Sequence, residues 1–183
     1  MQVSQEPERS PEVVWRGWLC LLLAACGSVS LAAELQGQVV RVSDGDTLIV
    51  LDAQRQQHTI RLAGIDAPEK RQAFGPESRD HLAQAVLNQA VTVAYDKHDK
   101  YGRIVGKVLA QGMDANLAQL QAGWAWHYRQ YQREQSAGDR ALYSETERLA
   151  REAQKGLWQG HTPPEPPWDY RARIKAERER PKP

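Results

Sequence analysis

The sequence predicts an α+β fold, mainly a small closed β barrel of five strands, with three helices. Between Leu35 and about Leu109, short apolar and β-branched runs alternate with turn-forming residues, which is typical of strands. After Met113 the apolar residues recur at helical spacing instead. Five short strands favour a barrel, because closing a small sheet removes its exposed edges.

The strand pattern occurs in five segments: GQVVRV (37–42), TLIVL (47–51), HTIRLAGI (58–65), AVTVAY (90–95) and RIVGKVLA (103–110). Side chains alternate along a strand, so Ile60 and Leu62 share one face and Arg61 points the other way. The same rule places Arg103 opposite Ile104. Both arginines are therefore expected to point away from the apolar face of the sheet.

Three helices are predicted: one beginning at Gly75-Pro76, one over about 114–122, and one from about Asp139 to Lys155. Pro76 is in the favoured first turn of its helix, and its apolar residues Leu82 and Val86 are expected to be buried. Gly123 and Gly156 end the other two helices. In the third helix one apolar stripe is expected to face the core, formed by Leu142, Leu149 and Ala153.

Residues 1–33 have the pattern of a signal peptide. Arg16 precedes the apolar run WLCLLLAAC (18–26), and the small residues SVSLAA follow it. The run is too short to span a bilayer comfortably. We therefore expect an exported protein, periplasmic or secreted, with cleavage after Ala32.

An alternative processing route is open in the same segment. LAAC (23–26) resembles the bacterial lipobox, in which Cys26 is acylated and anchors the chain to the membrane. Cys20 and Cys26 are the two cysteines of the chain, so cleavage after Ala32 would leave neither a disulfide nor a thiolate mechanism.

The remaining chain divides into a globular domain, residues 34–159, and a C-terminal tail, residues 160–183. The tail holds six of the ten prolines and many charges, and we expect it not to pack as a core. The whole chain has a formal charge of +1, from 24 basic and 23 acidic residues, so its overall charge indicates no partner.

Acidic residues are concentrated around two strands. Asp44 and Asp46 precede the strand TLIVL, and Asp66 and Glu69 follow the strand that carries Arg61. Carboxylates with loop carbonyls are the hard oxygen ligands that calcium prefers. A guanidinium binds phosphate oxygens in pairs and stabilises charge developing on them. The pattern therefore indicates a metal-assisted reaction at a phosphate.

Three motifs occur in order: D-G-D-T, then R-L-x-G-I-D-x-P-E, then D-K-Y-G-R at 99–103. Together they resemble the thermonuclease, or staphylococcal nuclease, family, over about residues 36–158. The resemblance implies an OB-fold five-stranded barrel with three helices. It also implies calcium-dependent hydrolysis of DNA and RNA phosphodiester bonds, leaving 3′-phosphate products.

The resemblance also implies roles for individual residues. Asp46, Asp66 and the backbone carbonyl of Ala67 would ligate Ca²⁺, Glu69 would orient or deprotonate water, and Arg61 and Arg103 would bind the scissile phosphate. Asp44 would support the metal ligands from behind, as would be expected of a residue that contacts them. Lys100, Tyr101 and Tyr131 would contact the nucleic acid.

The stretch WAWHYRQY (124–131) has two interpretations. Aromatic side chains alternating with arginines suit single-stranded nucleic acid, because bases stack on rings. Alternatively, Trp124 and Trp126 belong to the core. The five histidines show no zinc-ligand spacing. No protein partner is indicated, and a monomer is expected.

Two other classes of function remain open from the sequence. One is a non-catalytic binding module on the same barrel, and the other is a calcium-stabilised scaffold. The first lacks the acids and arginines that are present here, and the second has no need of two phosphate-facing arginines. The sequence therefore favours a nuclease.

Overall fold

A computed structural model of the chain describes residues 33–160, 162 and 164–180. The predicted signal peptide and Cys26 lie outside these residues. Within the described part of the chain, no helix is both long enough and apolar enough to cross a membrane.

The strands are β1 (Ala33–Asp44), β2 (Thr47–Leu51), β3 (Gln57–Leu62), β4 (Ile65–Asp66), β5 (Ala90–His98), β6 (Ile104–Ala110), β7 (Met113–Asp114) and β8 (Trp126–His127). Five of them form the barrel in the order β3-β2-β1-β5-β6, and parallel pairing of β3 with β6 closes it. The predicted five-stranded barrel is thus confirmed.

Alternate side chains along the strands point into the barrel and form its core. Ile60 and Leu62 of β3 are buried, as are Ile104 and Val108 of β6, whereas Arg61 lies on the other face. The predicted strand over 58–65 ends at Leu62, because Gly64 takes a left-handed conformation with φ of 73° and turns the chain.

The helices are α1 (Gly75–Val86), α2 (Ala115–Gln121), α3 (Ala137–Glu152) and α4 (Pro167–Glu179). Helix α1 places Leu82 and Val86 in the barrel core, as predicted. The side chain of Asp114 caps α2 by accepting a hydrogen bond from Leu117 N, and Ser136 caps α3 by accepting one from Asp139 N. These caps set where the two helices begin.

The buried stripe of α3 differs from the predicted one. Leu142 and Leu149 are 48% and 51% exposed, and the buried residues are Tyr143, Glu147 and Ala150. Each residue turns a helix by about 100°, so a shift of one position moves the stripe to another face. The Tyr143 hydroxyl donates to Asp114 at 2.8 Å, a contact that fixes the observed face.

The C-terminal segment also differs from the expectation. Residues 167–179 form α4, a fourth helix where three were predicted, with Pro167 in its first turn. Trp168 packs on Trp126, their ring centroids 6.3 Å apart. Trp126 is itself buried in a second cluster with Ala150, Leu157 and Trp158, so it is a core residue. The predicted tail is therefore corrected to a packed segment.

Candidate active site

The D-G-D sequence forms the turn between β1 and β2. A side chain at Gly45 would collide with the Ser78 hydroxyl of α1 and with Ala67, so the turn needs glycine to lie this close. The buried amide of Gln119 in α2 donates to Gly45 O at 2.7 Å and to Ser78 O at 3.0 Å. Two helices thus hold the turn that carries the aspartates.

The loop over residues 63–67 lies against this turn. The Asn116 amide holds the loop by donating to Ala63 O at 3.0 Å. The backbone N–H of Ala67 donates to the Asp46 carboxylate at 2.7 Å. These bonds bring two acids that are 20 positions apart in sequence to the same side of the barrel.

Arg61 connects the two acids. Its Nη2 atom lies 2.8 Å from Asp66 Oδ1 and 3.2 Å from Asp46 Oδ2. Its Nη1 atom donates to the carbonyls of Leu62 and Ile65, each at 2.9 Å. Arg61 therefore neutralises the carboxylate pair and also ties together the loop that presents it.

Two acids of the site, Asp44 and Asp66, have pKa values above the ordinary range. Burial, and then repulsion from Asp46, raises the pKa of Asp44 to about 7. Burial raises the pKa of Asp66 as well, against the effect of the hydrogen bond from Arg171. Asp44 accepts a hydrogen bond from the backbone N–H of Asp46 at 3.2 Å, so it contacts the predicted ligand from behind. Buried acids this close together favour a nearby cation.

The donor atoms fit a hard cation such as calcium in their chemistry. Asp46 and Asp66 are 6% and 1% exposed, and guanidinium groups contact both of them. Within residues 33–160, 162 and 164–180, no three or more His, Cys, Asp or Glu side chains are grouped to hold a metal ion. The two aspartates alone would not fill the coordination sphere of calcium, so backbone carbonyls and water would have to supply the remaining ligands.

Glu69 lies beside this pair at the protein surface. Its side chain is 37% exposed, and its Oε1 atom accepts a hydrogen bond from Arg171 at 2.9 Å. The same Arg171 contacts both oxygens of Asp66. Sequence reasoning missed Arg171, because it is in the segment interpreted as an unpacked tail. The available signal was Pro166-Pro167-Trp168-Asp169, a helix start followed by basic residues.

Arg103 lies on the same face of the barrel wall as Arg61. In the parallel pairing of β3 with β6, Val105 lies opposite Arg61. Arg103 precedes Val105 by two residues, which is about 7 Å along the strand direction. Its Nε atom donates to Asp99 at 2.7 Å, and its guanidinium lies 5.6 Å from the centre of the Tyr101 ring. Arg103 thus belongs to a neighbouring turn rather than to the carboxylate cluster.

The predicted nucleic-acid contacts divide between two places. Lys100 lies 5.1 Å from the centre of the Tyr101 ring, and Tyr101 is 72% exposed on the turn with Arg103. Tyr131 is 45% exposed, and Lys97 lies 5.4 Å from its ring centre. The structure therefore brings Asp46, Asp66, Ala67, Arg61 and Glu69 together. Lys100, Tyr101 and Arg103 lie on the turn before β6, and Tyr131 lies beside Tyr128.

Tyr128 is a further aromatic residue beside the site. Its backbone N–H donates to Gly64 O at 2.9 Å, which holds it against the loop of Asp66. Burial raises its pKa, and the charge of Asp66 raises it further. Its ring lies 5.1 Å from Tyr131 and stacks on Trp168 at 5.8 Å, with 11° between the planes. Tyr128 was not among the predicted site residues.

The amino-acid sequence is also similar to those of known proteins. The family model described as staphylococcal nuclease homologue matches residues 59–160. The chain is 40% identical over 159 residues to an Escherichia coli protein named uncharacterized endonuclease, covering 86% of this chain and 99% of that protein. It is 40% identical over 157 residues to a micrococcal nuclease of Shigella flexneri, covering 81% and 87%. A staphylococcal-like nuclease of Arabidopsis thaliana is 37% identical over 112 residues, 61% of this chain and 32% of that protein.

Proposed function

The chain belongs to the staphylococcal nuclease family and is a nuclease, and from this premise we propose that it hydrolyses DNA and RNA with calcium, leaving 3′-phosphate products. The observation that carries the proposal is the contact of one Arg61 nitrogen with both Asp46 and Asp66. The family match and the nuclease names of the relatives favour an enzyme over the non-catalytic binding module.

Calcium would be held by the carboxylates of Asp46 and Asp66 and by the backbone carbonyl of Ala67. When bound, calcium supplies a Lewis acid that polarises a phosphoryl oxygen. Asp44 would keep Asp46 in place through its hydrogen bond to the Asp46 backbone N–H. The buried position of the aspartates supports this assignment, because buried carboxylates need a compensating cation.

Glu69 would accept a proton from the attacking water. It is close to Asp66, because the two carboxylates share Arg171, and it is also open to solvent. A general base needs hydrogen-bond reach to a water molecule, which an exposed carboxylate at the edge of the site has. Proton removal at Glu69 would leave hydroxide to attack phosphorus. The bond from phosphorus to the 5′ oxygen would break, the 5′ oxygen would leave and take up a proton from solvent, and the phosphate would stay on the 3′ oxygen.

Arg61 and Arg103 would bind the scissile phosphate. Fixed guanidinium groups stabilise the negative charge that develops on the phosphate oxygens in the transition state. Arg61 is in β3, and Arg103 directly precedes β6, the strand that pairs with β3, which supports a shared substrate. Arg61 would have to exchange part of its contact with the carboxylates for the phosphate.

The proposed substrate is single-stranded nucleic acid. Exposed rings at Tyr101 and Tyr131, each with a lysine nearby, combine base stacking with phosphate attraction. We further propose a monomer that is exported to the periplasm or the medium, on the basis of the apolar run and SVSLAA. Acylation of Cys26, with membrane anchoring, is the alternative for localisation.

The chemistry of the product ends tests the proposal. Single-stranded DNA and RNA oligonucleotides are incubated with the protein in calcium, in magnesium and in chelator, and the fragments are measured by mass spectrometry. Fragments with 3′-phosphate and 5′-hydroxyl ends that form only in calcium support the proposal. Fragments with 5′-phosphate ends, or cleavage that is equal in magnesium, would contradict it.

A further inference from the structure

Helix α4 reaches the carboxylates of the candidate active site. Arg171 Nη1 lies 3.1 Å from Asp66 Oδ1 and 2.9 Å from Glu69 Oε1, and its Nη2 lies 2.8 Å from Asp66 Oδ2. One guanidinium thus contacts both oxygens of a proposed calcium ligand and an oxygen of the proposed base.

Two further contacts hold the same segment over the site. The ring of Trp168 stacks on Tyr128 and makes an edge contact with Trp126. The amide of Gln72, in the loop after Glu69, donates to Glu165 O at 2.5 Å. The segment is therefore attached to the barrel domain through Glu165, Trp168 and Arg171.

We propose that residues 164–180 bind the candidate active site as an intramolecular ligand, with Arg171 occupying the place of the cation and Trp168 covering an aromatic face that a base would use. This inference rests on the proposed function. The closed segment excludes calcium and single-stranded nucleic acid, and both enter when it moves away.

Arg171 and calcium would compete for the carboxylate oxygens of Asp66. Arg171 engages both carboxylate oxygens, and Arg61 also engages Oδ1. A calcium ion needs lone pairs of the same oxygens. Binding of calcium and closure of α4 are then mutually exclusive, and each weakens the other by the same factor.

The contact with Glu69 distinguishes this inference from a third catalytic arginine. An arginine that binds phosphate leaves the base free to accept a proton from water. Arg171 instead pairs with the proposed base and the proposed ligand together. It therefore holds a resting state in which neither carboxylate is available.

The segment has few buried contacts of its own. Pro167 is the one buried residue of α4, and the Arg171 side chain is 42% exposed. Elements with few buried contacts open at low free energy, without unfolding of the rest of the protein. Opening of α4 is therefore compatible with an intact barrel.

The test compares the parent protein, Arg171→Ala and the matched control Lys175→Ala, purified from cells that express the whole chain. Lys175 is on the same helix and has the same charge, but its side chain is 77% exposed and pairs with Glu179. Calcium affinity is measured by calorimetry without nucleic acid. Hydrogen exchange of residues 164–180 is measured with and without calcium, and circular dichroism confirms the fold.

We expect Arg171→Ala to bind calcium about tenfold more tightly if the parent segment is open about a tenth of the time, because the open fraction scales the apparent affinity. Lys175→Ala should match the parent. Arg171→Lys should fall between parent and alanine, because a single ammonium cannot reproduce the paired contact with Asp66. In the parent, calcium should speed exchange of the α4 amides.

Unchanged or weaker calcium binding by folded Arg171→Ala would overturn the inference, and weaker binding with slower cleavage would make Arg171 part of the catalytic machinery. The proposed function fails in a different way, with a parent protein that neither binds calcium nor cleaves. In that case, hydrogen exchange of the α4 amides tests the inference by itself. Faster exchange in Arg171→Ala than in the parent would support binding of α4 as an intramolecular ligand, and equal exchange would overturn it.

Discussion

Arg171 binds both carboxylate oxygens of Asp66, at 3.1 Å and 2.8 Å, although the two residues are 105 positions apart. A residue of the Pro-rich C-terminal segment thus neutralises an acid of the barrel loop. The pairing compensates the charge of Asp66, which is 1% exposed. Under the proposed function, helix α4 and the metal ion compete for this carboxylate.

Replacing Asp46 with alanine should weaken calcium binding at least about 100-fold, because substitutions of residues that only support a metal ligand already cost about 10–100-fold. The barrel should stay folded, since the change also relieves repulsion between Asp46 and its acidic neighbours. Calorimetry with calcium measures the affinity. Asp52→Ala is the control, because Asp52 pairs with His58 away from the site. Parental affinity in folded Asp46→Ala would refute the ligand assignment.

Asp44 should make stability depend on pH in calcium-free buffer. Its pKa is about 7 in the folded protein against 3.8 ordinarily, so the folded state holds a proton that the unfolded state releases. Its contribution is fully present below about pH 4 and is lost as pH rises to 7. Asp44→Asn keeps the acceptor for Asp46 N but removes this titration.

We compare the free energy of unfolding of Asp44→Asn with that of the parent at pH 4 and at pH 8. Relative to the parent, the variant should be more stable at pH 8 than at pH 4 by a few kcal/mol, since one pKa unit corresponds to about 1.4 kcal/mol. Denaturant unfolding in chelator at the two pH values measures the difference between parent and variant. A difference that is the same at both pH values would show that Asp44 has an ordinary pKa.

Gln119 should stabilise the turn that carries the aspartates. Gln119→Leu leaves the buried carbonyls of Gly45 and Ser78 without this donor, and each unsatisfied group costs about 1–3 kcal/mol. The free energy of unfolding should fall by about 2 kcal/mol or more. Gln121→Leu is the matched control, because Gln121 is exposed on the same helix. Equal effects of the two substitutions would contradict the assigned role.

The barrel was predictable because its signals are local, and alternation of Ile60, Arg61 and Leu62 gave the correct faces. The pairing of Asp46 with Asp66 is not a local signal, and it was expected from the family resemblance of three motifs that occur in order. In α3, by contrast, the apolar spacing of Leu142 and Leu149 competes with Tyr143, and only contacts from other elements decide which face is buried.

The C-terminal helix shows a second limit of local patterns. Composition rich in proline and charge predicts no core of its own for residues 160–183. It does not exclude docking on a core formed elsewhere, as Trp168 does on Trp126 and Tyr128. Such long-range contacts depend on surfaces that exist only after the barrel has folded.

The two arginines should differ in their structural roles. Arg103→Lys should reduce turnover by about 10²–10³ with little effect on stability, since a point charge does not replace the guanidinium fork. Arg61→Lys should also destabilise the fold by about 1–3 kcal/mol, because it loses bonds to Leu62 O and Ile65 O. The double variant should lose less turnover than the product of the single losses, because both residues serve one phosphate.

Initial rates on single-stranded DNA at saturating calcium measure these effects, with circular dichroism and denaturant unfolding as folding controls. Arg41→Lys, an exposed arginine on β1, is the control for a change of cation at the surface. Near-parental rates for folded Arg103→Lys would remove Arg103 from the site.

In the proposed function, the buried pair of Asp46 and Asp66 makes cleavage dependent on calcium. The decisive experiment measures the initial rate of single-stranded DNA cleavage by the parent and by Asp66→Asn, each in calcium and in chelator. We expect rapid cleavage by the parent in calcium, loss of activity in chelator, and a rate for Asp66→Asn at least about 100-fold lower in calcium. Cleavage by the parent that persists undiminished in chelator, or a folded Asp66→Asn as active as the parent, would contradict it.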